Sequence, residues 1–428
     1  MAHTDEYRSR LALEALPITP WSRAILVCMA ILPYGMYFSL AGLLGLLCWT
    51  VSRQPHEIFK LLHRHGFIWL SGLLMVSSSL AVYRGEAWLQ LANFLPFFLL
   101  WAVFVVHCTA EPHPWQFLRR CAWVLVLGTL PLNLFAIVEF WLKTNGMGEL
   151  LTTLPIIHVM YTGAHRVMRS CSVFDYFNTY ANYLVMMIGL SLGLIQWQIV
   201  AAPSAKSPVW IRLALILSLV LSLAGLYCSG SRNGYLVASF LLMLGLFCLQ
   251  TRRWLRGLGL AGLGAFVSSA ILFGIGGRHL SLAWVTDDPR VEVWQLAIRL
   301  TREYPLLGAG LGNYKLLYDG SVPDHDFVAH AHNIWLMLAA EAGIPAMVGF
   351  TIAIALICYQ GMQGHRYLAD SPQAQAILLG YGLCFLGSIL FSVLDVTLFD
   401  ARINVLGWFC LAVLAAAPAI ARRSATTK

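Results

Sequence analysis

Long apolar segments alternate with short polar links along most of the chain. An α-helix needs about 20 apolar residues to cross a bilayer, and the segments 87–107 and 121–142 have that length. The apolar run from Arg23 to Val51 is interrupted by Pro33-Tyr34-Gly35, which predicts two short spans that meet at a turn. The pattern therefore predicts an all-α polytopic membrane protein with about twelve transmembrane helices. The other predicted spans are residues 66–83, 178–200, 210–228, 234–250, 257–275, 334–360, 373–394 and 403–421.

One polar stretch, from Gly276 to Asn333, is much longer than the other links. Asp287-Asp288-Pro289 is typical of the start of a helix, and the stretch 290–303 follows it directly. We therefore predict a helix over 290–303, ended by Pro305. Its predicted apolar stripe is Val291, Trp294 and Ile298, and the predicted flexible turn after it contains Gly308, Gly310 and Gly312.

These boundaries divide the chain into three parts. Residues 1–275 hold the first nine predicted spans, 276–331 form a large loop with short helices, and 332–428 hold the last three spans. The first apolar run has no small-residue cleavage site after it, so we interpret it as a retained span and not as a signal peptide.

The composition agrees with a membrane protein. The chain is 59% hydrophobic and 11% charged, whereas a soluble domain has about 25% charged residues. The net charge of +8 does not indicate nucleic-acid binding, because the basic residues lie in short links between spans. The ten cysteines form no CxxC pair, and most lie inside apolar runs, so we interpret them as small core residues and predict no disulfide framework.

The distribution of basic residues predicts the orientation. Lysine and arginine concentrate in short cytoplasmic loops of membrane proteins, and with both termini inside, most of the basic residues here fall on the inner side. The large loop is then extracytoplasmic. The inner set includes Arg53, Lys60, Arg64, Arg119, Arg120, Lys206, Arg212, Arg252, Arg253, Arg256, Arg366, Arg422 and Arg423.

The predicted topology places four short segments with cationic or ionisable side chains at one membrane face. They are Arg169, Arg232 within Ser229-Gly230-Ser231-Arg232-Asn233-Gly234, Arg290, and His332-Asn333. Arginine binds phosphate oxygens bidentately, so the group suits a diphosphate. Each element also has a plainer interpretation. Arg232 can anchor a lipid headgroup, Arg290 can cap its helix, and a histidine at a helix start is more often structural.

Other possible sites have weaker support. Asp324-His325-Asp326 with His330 and His332 has side chains that suit zinc, but the spacing fits no known pattern, and we predict no metal. The glycines of 308–313 lack the strand that a nucleotide-binding loop requires. On a continuous helix, Glu341 lies on the face opposite His332 and does not orient it.

The same segments resemble the O-antigen ligase family, within a superfamily that also holds O-antigen polymerases and protein O-oligosaccharyltransferases. The resemblance is most specific from about residue 169 to 350. It rests on Arg169 with Ser172-Val173-Phe174 and Asn178, on Ser229-Gly230-Ser231-Arg232, on Arg290, Trp294 and Ala297, on Pro305, Gly308, Gly310 and Asn313, and on His332-Asn333 with Gly343.

The resemblance implies a glycan donor linked to undecaprenyl diphosphate and a sugar hydroxyl of lipid A–core or another glycan as acceptor. It also implies inversion at the anomeric carbon without metal or cofactor. We expect His332, Arg290 and Arg232 to be catalytic, with His332 as the base. The residues expected to bind substrate are Arg169, Asn178, Ser231, Asn333, Trp294 and Asn313. The expected location is the bacterial inner membrane, with the site facing the periplasm.

Several alternatives stay open. Ala346 stands where the ligases prefer Gly, Thr or Tyr, so a polymerase or a protein glycosyltransferase is not separated from a ligase. A transporter is a further alternative, but it would need ionisable groups at mid-membrane depth. Glu139, Glu341 and Asp395 lie towards span ends, which favours an enzyme. The glycan, the acceptor and the oligomeric state are not determined by the sequence.

Overall fold

The computed structural model describes residues 17–152, 169–201, 206–248, 253–274, 290–320 and 327–426. Within these ranges the regular structure is helical and no strand occurs. Short 3₁₀ turns lie at Leu91–Asn93 and Tyr314–Leu316. The α-helices are α1 Pro20–Ile31, α2 Met36–Arg53, α3 Pro55–Arg64, α4 Phe67–Ser79, α5 Arg84–Gln90, α6 Leu95–Ala110, α7 Pro114–Thr144, α8 Glu149–Thr152, α9 Phe177–Val200, α10 Val209–Ser229, α11 Arg232–Cys248, α12 Arg253–Phe273, α13 Arg290–Glu303, α14 Ile334–Ala342, α15 Ile344–Tyr367, α16 Pro372–Phe391 and α17 Ala401–Thr426.

The helices confirm the predicted all-α polytopic membrane fold. In the described part of the chain, 9 helical segments are long and apolar enough to cross a membrane, one of them the composite Arg84–Ala110. Three shorter apolar helices, α1, α4 and α11, match the remaining predicted spans. The turn at Pro33 is confirmed, since α1 ends at Ile31 and α2 begins at Met36.

The predicted span 334–360 is wrong in one respect, because it is two helices that meet at Gly343. The amides of Ala309 and Gly310 donate to the carbonyls of Ala340 and Glu341, at 2.8 and 2.9 Å. The loop amides thereby occupy carbonyl acceptors that the amides of a continuing helix would have used. Gly343 has φ +88°, and a Cβ there would lie 2.3 Å from a carbonyl oxygen of the loop, so the break requires glycine.

Glu341 lies in α14, just before this break. Glu341 is buried and accepts a hydrogen bond from the amide of Tyr314 at 3.0 Å. Gly308 belongs to the same junction, since a Cβ on it would lie 2.2 Å from the carbonyl carbon of Glu341. Gly308 of the predicted flexible turn therefore allows close packing of the loop on α14.

The helix predicted over 290–303 is confirmed as α13, but its predicted buried face is wrong. Val291 and Ile298 are 42% and 40% exposed, and Trp294 is half-buried. The helix packs against α14 with a neighbouring stripe, and Tyr314 donates from its hydroxyl to the carbonyl of Val293 at 2.8 Å. The buried residues of α13 are Val293, Leu296, Ala297 and Leu300.

The core contains a direct backbone contact between α9 and α16. A Cβ on Gly193 would lie 2.4 Å from Cα of Gly380, and a Cβ on Gly189 would lie 2.5 Å from the amide nitrogen of Cys384. Small residues allow this approach in membrane helices. Since α9 is among the most buried of the described spans, the contact lies at the centre of the bundle.

The links predicted to be inner and those predicted to be outer lie at opposite ends of the bundle. At one end Arg423 donates to the carbonyl of Thr109 at 2.8 Å, and His65 hydrogen-bonds Gln360 at 3.1 Å. These residues belong to, or lie beside, links that the sequence places on the inner side. The candidate residues Arg169 and His332 lie at the opposite end, which we name the site end.

Candidate active site

The centre of the site end is the turn 391–395, between α16 and α17. The side chain of Asn233, at the start of α11, donates to the carbonyl of Phe391 at 2.8 Å. The amide of Ile334, at the start of α14, donates to the carbonyl of Ser392 at 3.0 Å. The turn therefore joins the link between α10 and α11 to the exit of the large loop.

Asp395 of this turn pairs with His332. The distance from His332 Nδ1 to Asp395 Oδ1 is 2.9 Å. The Asp395 side chain is 2% exposed, whereas that of His332 is 26% exposed. The amide of Val396 also donates to Oδ1 at 2.8 Å, so the carboxylate is fixed behind the ring. The pair has a buried acidic end and an accessible imidazole end.

The charge state of Asp395 decides the tautomer of His332. Burial raises the pKa of Asp395, but the hydrogen bond and charge of His332, followed by the charges of His330 and Arg290, outweigh burial and hold the pKa well below its usual range. Asp395 is therefore an ionised acceptor and Nδ1 must be the donor. The lone pair of His332 is then on Nε2, as a general base requires.

His330 lies beside His332 and stays neutral. The two ring centroids are 4.5 Å apart, and the amide of His332 donates to His330 Nδ1 at 3.4 Å. Burial and the neighbouring His332 lower the pKa of His330 to about 4. His332 has φ +48°, a left-handed conformation that few residues other than glycine adopt. The backbone at His332 is thus held in an uncommon conformation at the site.

Arg169 connects to the pair through Asn178. Its Nη2 donates to Asn178 Oδ1 at 3.1 Å, and Asn178 donates from Nδ2 to Asp395 Oδ2. The guanidinium also lies over the ring of Phe177, with Cζ 3.0 Å from the centroid. A continuous hydrogen-bonded chain therefore runs from Arg169 through Asn178 and Asp395 to His332.

A buried ion pair on α7 fixes the segment that carries Arg169. Lys143 Nζ lies 2.6 Å from Glu139 Oε1 and donates to the carbonyl of Arg169 at 2.7 Å. Glu139 in turn accepts from the amides of Cys171 and Ser172, at 3.2 and 2.9 Å. The sequence showed Glu139 and Lys143 only as charges near a span end. Their spacing of four residues, which places both on one helix face, was the available signal.

Gly230 allows Arg169 to approach the link between α10 and α11. Arg169 Nε donates to the carbonyl of Ser229 at 2.6 Å. Gly230 has φ +60°, and a Cβ on it would lie 3.0 Å from Arg169 Nε. The positive φ therefore favours glycine here, and a Cβ would be a tight contact for the Arg169 side chain.

Arg232 and Arg290 are the other two predicted catalytic cations. Arg232 is the first residue of α11, next to Ser231, whose Oγ accepts from the amide of Gly234 at 3.3 Å. Arg290 is the first residue of α13, and its positive charge contributes to the low pKa of Asp395. The site end therefore contains Arg169, Arg232 and Arg290 together with the buried carboxylate of Asp395.

Of the three other predicted substrate-binding residues, Asn333 and Asn313 form hydrogen bonds within the protein. Asn333 caps α14 by accepting from the amide of Leu336 at 3.0 Å. Asn313 is fully buried and accepts from the amide of Tyr83 at 2.9 Å. Trp294 is half-buried, and its Nε1 makes no hydrogen bond within the described ranges. Binding of substrate by these residues stays a prediction.

A family comparison covers the middle of this site. Residues 217–351 match the model of the O-antigen ligase family. This part of the chain is similar to the O-antigen ligase family. The chain as a whole is a multi-pass membrane protein. A search of curated proteins finds no match to the chain.

The residues that match the family model contain only part of the site. Arg232, Arg290 and His332 lie within the matched residues, whereas Arg169 and Asp395 lie outside them. The hydrogen bonds of the turn 391–395 bring the flanking parts to the matched residues. Asp395 is the residue that sequence reasoning missed, because an acidic residue just after a span gives no signal of its partner.

Three residues of the site have the donor atoms of a cation site. The ligand atoms of His330, His332 and Asp395 all lie within 4.8 Å of one another, and zinc accepts such ligands. The charge of Arg290 at Asp395 opposes a further cation. The acidic residues that the sequence placed with His330, namely Asp324 and Asp326, lie outside the described residues.

Proposed function

We propose that the chain is a glycosyltransferase that moves a glycan from undecaprenyl diphosphate to a sugar hydroxyl of lipid A–core. The transfer inverts the anomeric carbon and uses no metal. The observation that supports this proposal is the Asp395–His332 pair, 2.9 Å apart, with the charge of Arg290 acting on the same carboxylate. A base and a phosphate-binding cation are the two groups that such a transfer needs.

In the proposed reaction the acceptor oxygen attacks the anomeric carbon as the bond from that carbon to the diphosphate oxygen breaks. The acceptor proton passes to His332 Nε2, and undecaprenyl diphosphate leaves with the bonding electrons. Asp395 stabilises the imidazolium that forms, as a carboxylate partner does in other catalytic pairs. Arg290 and Arg232 stabilise the charge that grows on the diphosphate. Arg169 holds Asn178 and thereby Asp395, besides its predicted contact with the donor.

Transfer is tested with purified protein and a synthetic undecaprenyl-diphosphate-linked glycan. We expect release of undecaprenyl diphosphate and a glycosylated lipid A–core in which the new linkage has the opposite anomeric configuration, measured by mass spectrometry and NMR. Retention of configuration would contradict the single-displacement mechanism, because that outcome needs a covalent intermediate. The His332→Asn protein serves as the control for non-enzymatic transfer.

The same assay separates the alternatives when lipid A–core, a second lipid-linked glycan and an acceptor protein are supplied in parallel. Elongation of the lipid-linked glycan would identify a polymerase, and glycosylation of the protein would identify a protein glycosyltransferase. All three reactions use the same donor chemistry, so the site roles stay the same. Absence of transfer to every acceptor, with the donor intact, would contradict the proposed function as a whole.

We further propose that the site end faces the periplasm of the bacterial inner membrane. The support is the concentration of basic residues at the opposite end, in agreement with the positive-inside rule. A reporter active only outside the cytoplasm is therefore expected to be active when fused after Asp319 and silent when fused after Gln250. A cytoplasmic reporter at the same positions is the matched control, and a reversed pattern would contradict this orientation.

A further inference from the structure

A long apolar groove follows α16 on a side that faces outward from the bundle. It encloses about 710 Å³. One stripe of α16 forms its floor, and α15 forms one wall through Cys358 and Met362. The groove extends from Pro372 to Ile389, about 25 Å along a helix that rises 1.5 Å per residue. The stripe consists of Gln375, Leu379, Gly382, Leu386 and Ile389.

The two ends of the groove differ. The end remote from the site is polar, with Gln196, His365 and Arg366. The other end is apolar and reaches Phe385 and Ile389. The groove therefore covers most of the roughly 30 Å hydrocarbon thickness of a membrane, and its polar residues mark the level of the remote interface.

The apolar end leads to the catalytic pair. A smaller cavity of about 50 Å³ shares Phe385 and Ile389 with the groove. Ser392 and Ile334 also line it, and the amide of Ile334 donates to the carbonyl of Ser392 at 3.0 Å. These residues flank the segments that carry His332 and Asp395. The lining is thus continuous from the membrane interior to the turn 391–395.

We propose that this groove binds the isoprenoid tail of the lipid-linked donor, which rests on the proposed function. A single phospholipid acyl chain reaches about half the bilayer, roughly 15 Å, so it covers only part of the groove. An undecaprenyl chain is longer than the membrane is thick, so it fills the groove along its length. With its diphosphate at the site end, the tail runs past Ile389 and Gly382 towards Gln375.

Gly382 provides a way to fill the groove. A Cβ on Gly382 meets only Leu414, at 4.0 Å, so a larger side chain enters open space. Gly349 on α15 is the matched control, because a Cβ there meets only Leu70, at 3.8 Å. Gly349 faces a separate cavity of about 400 Å³ with Trp69 in its lining. Gly382→Trp and Gly349→Trp therefore add the same side chain to two different lateral cavities.

For the donor with a full undecaprenyl tail, Gly382→Trp is expected to raise KM by about tenfold or more, since tail binding scales with buried apolar area. Gly349→Trp is expected to leave KM within about twofold of the parent. With a donor carrying only a few isoprene units, Gly382→Trp and the parent are expected to have equal KM. An unchanged KM of Gly382→Trp for the long donor would overturn the proposal.

Photocrosslinking tests the groove without turnover. Undecaprenyl phosphate with a diazirine at the far end of its tail is expected to label peptides around Cys358 and Gln375 of the parent protein, and excess unlabelled undecaprenyl phosphate is expected to prevent it. A phospholipid with a diazirine on its acyl chain is the control. The proposal would be overturned if the phospholipid probe labelled these peptides equally, or if the undecaprenyl probe labelled other parts of the protein instead. If the groove is labelled but the protein shows no transfer activity, the proposed tail-binding groove stands and the proposed function fails.

Discussion

His332→Asn is expected to lower turnover by about 10²–10⁴, the usual contribution of a general base, while donor binding is retained. Asparagine places an amide nitrogen near the position of Nδ1, so the hydrogen bond to Asp395 is kept and the base at Nε2 is lost. Asparagine also tolerates the left-handed conformation of His332, φ +48°. The measurement is kcat for glycan transfer, with donor affinity determined separately on the same protein.

The pH profile distinguishes a base from a residue that only binds substrate. Protonated imidazole accepts no proton, so the rate of the parent is expected to fall on the acidic side. Since Asp395 stays ionised there, Asp395→Asn is expected to lower kcat, because the imidazolium that forms during transfer loses its anionic partner. Asp370→Asn, at the other end of α16 and exposed, is the matched control. Near-parent turnover and pH profile in His332→Asn would exclude His332 as the base.

Arg290→Ala is expected to lower kcat by about 10²–10³, the effect of removing one donor that stabilises transition-state charge. Lysine at the same position is expected to restore activity only in part, because it lacks the planar guanidinium that binds two phosphate oxygens. The loss is expected mainly in kcat, since the charge on the diphosphate grows as the sugar leaves. Steady-state kinetics with a fixed acceptor concentration measure it.

One variant controls for the loss of a positive charge, and a second tests the role that Arg232 shares with Arg290. Arg302→Ala removes an exposed arginine from the other end of α13 and is expected to be near parent. Arg232→Ala is expected to lower kcat as Arg290→Ala does, since both cations have the same proposed role. If Arg290→Ala folds and keeps parent activity, Arg290 has no part in stabilising the leaving group.

The sequence predicts the spans well because burial in lipid is a property of each segment alone. Long apolar runs such as Phe177–Val200 need no partner to be recognised. The break at Gly343 was missed because it depends on Ala309, which donates to the carbonyl of Ala340 from a distant part of the chain. The buried face of α13 was wrong for a related reason. The sequence offers two adjacent apolar stripes, and only packing on α14 selects one.

The site likewise has features that the sequence predicts and others that depend on contacts between distant residues. Arginine and histidine at one predicted face were recognisable from topology, and His332 is joined to Arg169 by hydrogen bonds through Asn178 and Asp395. The importance of Asp395 follows only from its distance to His332, which a single sequence does not contain. The buried pair Glu139–Lys143 was likewise visible as two residues, but its contact with the backbone of Arg169 was not.

The close contact of Gly193 with Gly380 is a point about which α9 and α16 can tilt relative to each other. Asn178 lies about 22 Å from this contact along α9, at 1.5 Å per residue, while α16 leads on to Asp395. A tilt of about 5° between the two helices moves Asn178 by about 2 Å, and a displacement of roughly 1 Å can cost a catalytic site a hundredfold in rate. Helices change their tilt to match the thickness of the surrounding bilayer. We therefore expect the thickness of the host membrane to affect the alignment of Asp395 behind His332.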